Sequence, residues 1–180
     1  MIRLKSLLEM VDTDLKRILD KIKSKQFKFI GAGDNGRVYE INGEDRCFKI
    51  TQERDEFEVA TVIVGRWTEF TTFIPVYYVD DQQSMYIMAN AKKLTAADTS
   101  IIDNFMNEFA QYARSRGGEV SIFEFLDNNG ARDTNQKLVN FLRALQRDIT
   151  KTNIPELDLD LDFNSGNVMI WNGNMVMVDW

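Results

Sequence analysis

The segment Gly31-Ala32-Gly33-Asp34-Asn35-Gly36-Arg37-Val38-Tyr39-Glu40-Ile41-Asn42-Gly43 carries three glycines in a G-x-G-x-x-G spacing, then an alternating run. Glycines in such a loop let the backbone lie against phosphate oxygens with no Cβ in the way. The spacing alone is ambiguous, because it also marks dinucleotide-binding loops that run from a strand into a helix. Here Val38, Tyr39 and Ile41 lead instead into Asn42-Gly43, a strong hairpin-turn signal. Phe27 and Phe29 precede the glycines as a first strand. The loop therefore joins two antiparallel strands. Taken alone, an ordinary tight hairpin explains it equally well.

The pattern continues on both sides. Residues 46–51 read as a third strand, with Cys47 and Lys49 on one face and Phe48 and Ile50 on the other. Residues 53–70 read as a helix with Phe57, Ala60, Val64 and Trp67 on one side. Residues 74–79 and 85–90 are two further strands across a polar turn at 80–84. Upstream, residues 3–25 form an amphipathic helix, with Leu4, Leu8, Val11, Leu15, Ile18 and Ile22 in a narrow apolar seam. That seam either packs on the rest of the domain or serves as a self-association or partner surface.

Downstream the pattern turns helical. Residues 99–116 form a helix ended by Gly117-Gly118, residues 121–126 a short one, and residues 133–151 a third, capped by Asp133 or Thr134. A hairpin closes the sequence, with strands at 168–171 and 175–180 around Asn172-Gly173.

Two further features carry chemistry. Lys49 stands thirteen residues past Gly36, in mid-strand between Phe48 and Ile50. Such a lysine needs an anion for its ammonium, unless it snorkels to water from an edge strand. Glu56 is the preferred partner, with Glu53 and Glu58 as rivals. The second feature is Leu157-Asp158-Leu159-Asp160-Leu161-Asp162-Phe163-Asn164-Ser165-Gly166-Asn167. If extended, it throws leucines to one side and carboxylates to the other. Like charges so close are tolerable in water or beside cations. Asp162 and Asn167 are five residues apart, and Asp179 ends an apolar strand twelve residues after Asn167.

These motifs, in this order over residues 26–180, resemble the protein-kinase-like superfamily, which includes aminoglycoside phosphotransferases. Asp162-Phe-Asn-Ser-Gly-Asn167-Val-Met is similar to the Asp-Leu-His-Pro-Gly-Asn-Val-Leu string of its small-molecule kinases, and Val178-Asp179-Trp180 to their Ile-Asp-Trp. More loosely, residues 27–38 and Ser-Gly-Asn-Val-Met resemble the early serine/threonine kinases of short-tailed lytic bacteriophages.

The resemblance implies an α+β, minimal two-lobed kinase-like fold. An N-terminal amphipathic helix (1–25) would precede a lobe of antiparallel sheet with one helix (26–91). A small helical lobe ending in a β-hairpin (92–180) would complete it. It implies ATP and Mg2+ as cofactors. Gly31, Gly33 and Gly36 would cover the phosphates, and Val38 and Cys47 would meet the adenine from its two sides. Met88, Ala89 and Ala91 would form the hinge at the adenine edge. Lys49 would hold the α and β phosphates, and Glu56 would orient Lys49. Asp162 would accept or orient the acceptor hydroxyl, and Asn167 and Asp179 would bind magnesium.

Three departures stand out. Asp160 occupies the usual histidine position, Asn164 occupies a position often basic, and the sequence stops one residue after Asp179. The last predicts a minimal kinase, a truncated chain or a relic. Three functions follow: a kinase acting on protein Ser/Thr, a small-molecule kinase acting on a hydroxyl, or a non-catalytic kinase-like interaction protein.

Composition narrows the classes. With 180 residues, 44% hydrophobic and 28% charged, the chain suits a folded soluble domain. A net charge of −6 argues against non-specific nucleic-acid binding. The single cysteine excludes an internal disulfide, and the absence of histidine excludes histidine-based triads and metal sites. No apolar run approaches the roughly 20 residues of a membrane span, and the N-terminus lacks a signal-peptide core. The expected location is the cytoplasm, that of the host if the chain is phage-encoded.

Overall fold

The computed structural model describes residues 4–33, 36–118, 120–129, 135–153 and 162–179, with the backbone alone for 4–12 and 129. The chain is α+β. It runs α1 (Leu4–Lys23), β1 (Phe27–Ala32), β2 (Gly36–Ile41), β3 (Arg46–Thr51), α2 (Arg54–Ile63), β4 (Val76–Asp80), β5 (Met85–Ala89) and β6 (Lys92–Lys93). Then follow α3 (Ala96–Arg116), α4 (Ile122–Asn129), α5 (Gln136–Thr152), β7 (Val168–Trp171) and β8 (Asn174–Met177).

Strands β1 to β5 form one antiparallel sheet in the order β1-β2-β3-β5-β4. The pairs Val38↔Lys49, Glu40↔Cys47, Cys47↔Met88 and Lys49↔Tyr86 place these side chains on one shared face. That face packs against α2 and the helices beyond it. One cluster joins Cys47, Tyr86 and Met88 to Val59, Ala60 and Ile63 of α2, to Phe105, Phe125 and Leu142, and to Phe163, Val176 and Met177.

The opposite face carries Phe48, Ile41 and Ile87 and is covered by α1 through Leu15, Ile18, Leu19 and Ile22. Ile18 is fully buried, which contributes roughly 2–3 kcal/mol. The apolar seam of α1 from Leu15 to Ile22 is thus covered by the chain itself. The part before residue 13 lies outside the described side chains. The helix is also tied by charge, with Arg17 and Lys21 on Glu44 and Arg46 on Asp14. Among the described residues no helix is long and apolar enough to cross a membrane.

The turns follow local chemistry. Asn172 and Gly173 adopt φ of +48° and +83°, as a two-residue hairpin loop between Trp171 and Asn174 requires. Gly43 at φ +73° serves the longer β2–β3 turn.

Several element limits differ from expectation. The helix expected over 53–70 stops at Ile63, because Gly65 takes a left-handed φ of +70° and its N–H turns to Val76. Trp67 is therefore off the helix, exposed, and set against Tyr77 at 5.5 Å. The helix expected from 99 begins at Ala96, where Thr95 caps it and bonds to Asp98. The cap of α5 is Asn135, which accepts from the Lys137 N–H at 2.9 Å. The expected caps Asp133 and Thr134 lie outside the described residues. Lys92–Lys93, not expected as a strand, pairs with β7 and makes the hairpin three-stranded.

Candidate functional site

Lys49 is the centre of the arrangement. It lies on the buried face of β3 and is 4% exposed. Its Nζ reaches Glu56 Oε1 at 2.6 Å and Asp179 Oδ1 at 2.9 Å. Of the three glutamates near the start of α2, Glu56 is the one turned inward, because the helix places it on the same face as Val59, Ala60 and Ile63. Glu58 points to solvent and pairs with Arg54, and Glu53 is the N-cap residue.

A buried ion pair is tolerated when its remaining polar atoms are satisfied. Here Glu56 Oε2 accepts from Thr51 Oγ1 at 2.6 Å, and Glu56 Oε1 accepts from the Tyr86 hydroxyl. Burial, and then the charge of Glu56, push the Tyr86 phenol well above its ordinary value, so it remains a hydrogen-bond donor. Thr51 and Tyr86 were not anticipated from the sequence. The Tyr86 side chain follows from the β3–β5 register, which sets it opposite Lys49.

The second part of the site is the turn from Asp162 to Asn167. Asn167 Nδ2 donates to both Asp162 O and Asp162 Oδ2 at 2.8 Å. Asn164 Nδ2 donates to Asp162 Oδ1 at 2.9 Å, while Asn164 Oδ1 accepts from the N–H groups of Gly166 at 2.7 Å and Asn167 at 3.2 Å. The Asp162 carboxylate is exposed but held by two amides. Committing the Asn167 nitrogen to Asp162 leaves its carbonyl oxygen as the end able to meet a cation. The acidic run before Asp162, including Asp158 and Asp160, lies outside the described residues.

Hairpin register connects the two parts. Val168 pairs with Met177, and the Val178 N–H donates to Asn167 O at 2.9 Å. Asn167 therefore sits just before β7, while Asp179 lies two residues past the end of β8 at Met177 and not on the strand expected over 175–180, because the ladder ends where the Val178 N–H turns to Asn167 O. The Asp179 side chain is 40% exposed, so one carboxylate meets both Lys49 and solvent. Among the described residues no three acidic or cysteine side chains converge as a metal cage. An amide oxygen and a carboxylate are ligand types that Mg2+ takes, a hard cation that keeps several waters and accepts phosphate oxygens beside them.

The glycine loop divides in two. A Cβ on Gly36 would meet Ile50 O and Lys49 Cε, each at 2.8 Å, so this glycine makes room for the lysine stem. A Cβ on Gly31 or Gly33 would meet nothing within 4 Å, and neither residue has the left-handed φ that favours glycine. Gly31 closes a register shift in β1 after Phe29, a place where a strand often carries glycine, whereas neither packing among the described residues nor a left-handed φ asks for glycine at 33. Close approach of a ligand would. The Gly33 N–H donates to Gly36 O at 3.1 Å across the loop.

Of the expected adenine residues, Val38, Cys47 and Met88 share the Lys49 face, whereas Ala89 pairs with Arg46 on the other face and Ala91 follows the end of β5. Val38 and Ala91 are half-buried, whereas Cys47, Met88 and Ala89 are buried. The Cys47 thiol lies 3.5 Å from Ala89 O, and burial, then the charge of Glu40, push it up to about 12. It is a packing group and not a nucleophile. A cavity of about 490 Å3 does border Gly33 and Gly36, but its other lining residues include Arg37, Tyr39 and Ile50. Those side chains occupy the sheet face opposite Lys49, so this cavity is not the space in front of the lysine. No family model matches the chain, and no curated protein matches it.

Proposed function

We propose that the chain is an ATP- and magnesium-dependent phosphotransferase of two-lobed, protein-kinase-like design, with a protein serine or threonine hydroxyl as acceptor. The observation that carries this reading is Lys49, a buried cation held between Glu56 on the following helix and Asp179, 130 residues later. A lysine is costly to bury, and a position shared by two carboxylates supports a task that uses its charge.

Each part then has a role. The backbone at Gly31 and Gly33 would lie over the phosphates, which would account for the glycine at 33. Lys49 would engage the α and β phosphates while Glu56, itself held by Thr51 and Tyr86, fixes its direction. Asn167 Oδ1 and Asp179 would hold magnesium, which when bound neutralises charge on the phosphates. Asp162 would take the proton of the acceptor hydroxyl or orient it. The bond from the γ-phosphorus to the bridging oxygen breaks, one to the acceptor oxygen forms, and ADP leaves. Val38, Cys47, Met88, Ala89 and Ala91 would contact the adenine.

The test is transfer of labelled γ-phosphate to the chain itself or to proteins of a bacterial lysate, with Asp162→Ala as the comparison. Transfer by the parent and its loss in the variant are expected. Equal signals from both, or none from either, would sink the reading. A small-molecule acceptor is the second reading, favoured by the likeness of Val178-Asp179-Trp180 to the Ile-Asp-Trp of small-molecule kinases. Label appearing in metabolites and not in proteins would select it.

A further inference from the structure

Asp148 is a buried carboxylate that the site described above does not use. It lies on α5, 2% exposed, between the buried Leu145 and Ile149. A carboxylate in such surroundings persists only with partners. Its Oδ2 accepts four bonds, from the N–H groups of Thr71 at 2.7 Å and Thr72 at 3.0 Å and from the hydroxyls of Thr72 at 3.0 Å and Thr71 at 3.3 Å. Its Oδ1 pairs with Lys151 at 2.7 Å.

The segment so gripped passes the constraint onward. Thr72 O accepts from the Met177 N–H at 2.7 Å, and the Ile74 N–H donates to Met177 O at 2.8 Å, around the parallel bridge Phe73↔Met177. Met177 is the last residue of β8. The next N–H, of Val178, goes to Asn167 O, and Asp179 follows. The end of the hairpin is thus held on one side by β7 and on the other by a segment whose place is set by one oxygen of Asp148.

We propose that Asp148 is the positioning residue of the Asn167–Asp179 pair, acting through Thr72 and Met177. The phosphotransferase reading enters only in what that pair holds. Magnesium tolerates little spread in ligand distance, about 2.0–2.1 Å, so segments that carry its ligands must be fixed from both sides. Four donors converging on one buried oxygen supply the second side.

Two measurements test this: amide hydrogen exchange at Met177 and Val178, and the magnesium dependence of thermal stabilisation by ATP. The variants are Asp148→Ala, Asp148→Asn and Thr72→Val. Asparagine keeps an oxygen for the four donors while losing the charge toward Lys151, so it should rescue.

In Asp148→Ala, exchange at Met177 and Val178 should quicken about tenfold while β1–β2 amides stay unchanged. The magnesium needed for half-maximal ATP stabilisation should rise about tenfold, with ATP binding in EDTA unaltered. Asp148→Asn should stay within about twofold of the parent. Unchanged exchange at Met177, equal loss of protection across the whole sheet, or asparagine behaving as alanine would each overturn the proposal. If Asp148→Ala does not fold, Thr72→Val decides, with about threefold faster exchange at Met177 expected and no change overturning it. If the parent shows no magnesium-dependent response to ATP, the phosphotransferase reading fails, and the exchange measurement still decides the positioning claim.

Discussion

The two halves of the candidate site hold their charges in opposite ways. Lys49 and Glu56 are buried and satisfied by partners from β3, α2, β5 and the segment after β8, with Tyr86 and Asp179 separated from their partners by 30 and 130 residues. Asp162 is exposed, and its carboxylate is held by Asn164 and Asn167, two and five residues away. The first arrangement exists only in the folded core, and its loss should be felt as stability. The second is a local turn built from side-chain amides, and its loss should be felt at the acceptor group while the fold persists. The difference teaches where each kind of substitution will register.

The largest expected effect is Glu56→Ala. It leaves a buried ammonium with Asp179 as its remaining carboxylate and removes the acceptor of Thr51 and Tyr86. Unfolding in urea should show a loss of about 3–5 kcal/mol. A loss below about 1 kcal/mol would break the contrast, because it would mean that water reaches Lys49 as freely as it reaches Asp162. Tyr86→Phe comes next. It deletes one hydroxyl and leaves Glu56 bonded to Thr51 and Lys49, so about 1–3 kcal/mol is expected by the same measurement. Tyr86→Phe costing as much as Glu56→Ala would make the phenol, and not the ion pair, the keystone of the core.

This division also explains what the sequence makes legible. The hairpin turns at Asn42-Gly43 and Asn172-Gly173, the strand of Lys49 and the seam of α1 rest on neighbouring residues, and the chain forms them close to where they are read. So does the Asp162–Asn167 spacing, whose hydrogen bonds span five residues or fewer. The choice of Glu56 over Glu53 and Glu58 needed the helix phase relative to the sheet, which its apolar neighbours suggest and the buried pair displays. Tyr86, Thr51 and Asp148 had no local signal. Each looks like an ordinary strand or helix residue until a partner arrives from elsewhere in the fold. The early end of α2 was missed because a single glycine, Gly65, outweighed an apolar pattern that continued past it. The two-lobed kinase-like frame remains part of the proposal.

Glu44 sharpens the contrast from a third position, where long-range partners meet near the surface. Hydrogen bonds from Arg17, helped by Lys21 and opposed by burial, push its carboxyl down to about 2 from 4.5. A depressed carboxylate contributes stability that is complete above its unfolded value and is lost as pH falls through the folded one. The window is therefore pH 4.5 down to 2. Asp14, Glu69 and Asp98 are shifted in the same direction, so the difference between the parent and Glu44→Gln isolates this group. The parent should exceed the variant by about 1 kcal/mol at pH 6, and the gap should close toward pH 2. A gap unchanged across that window would assign the effect to packing of the side chain and not to its charge.

Asn164→Ala should have the smallest effect on the fold and separates the two halves most cleanly. It removes the acceptor for the Gly166 and Asn167 N–H groups and one of the two amides on Asp162. The turn is exposed, so water replaces these bonds, and the loss in urea unfolding should be about 0.5–1 kcal/mol. Transfer is a different matter under the phosphotransferase reading. A carboxylate that takes or orients a proton must be held in direction, and freeing it should lower kcat roughly tenfold or more with KM for ATP little changed. The kinetic loss, at about 1.4 kcal/mol per factor of ten, would then exceed the loss of stability. Were the two equal, or were KM to rise with kcat constant, the turn would be holding the hairpin or the nucleotide and not the acceptor group, and the contrast between a stabilising core and a reactive turn would fail at this residue.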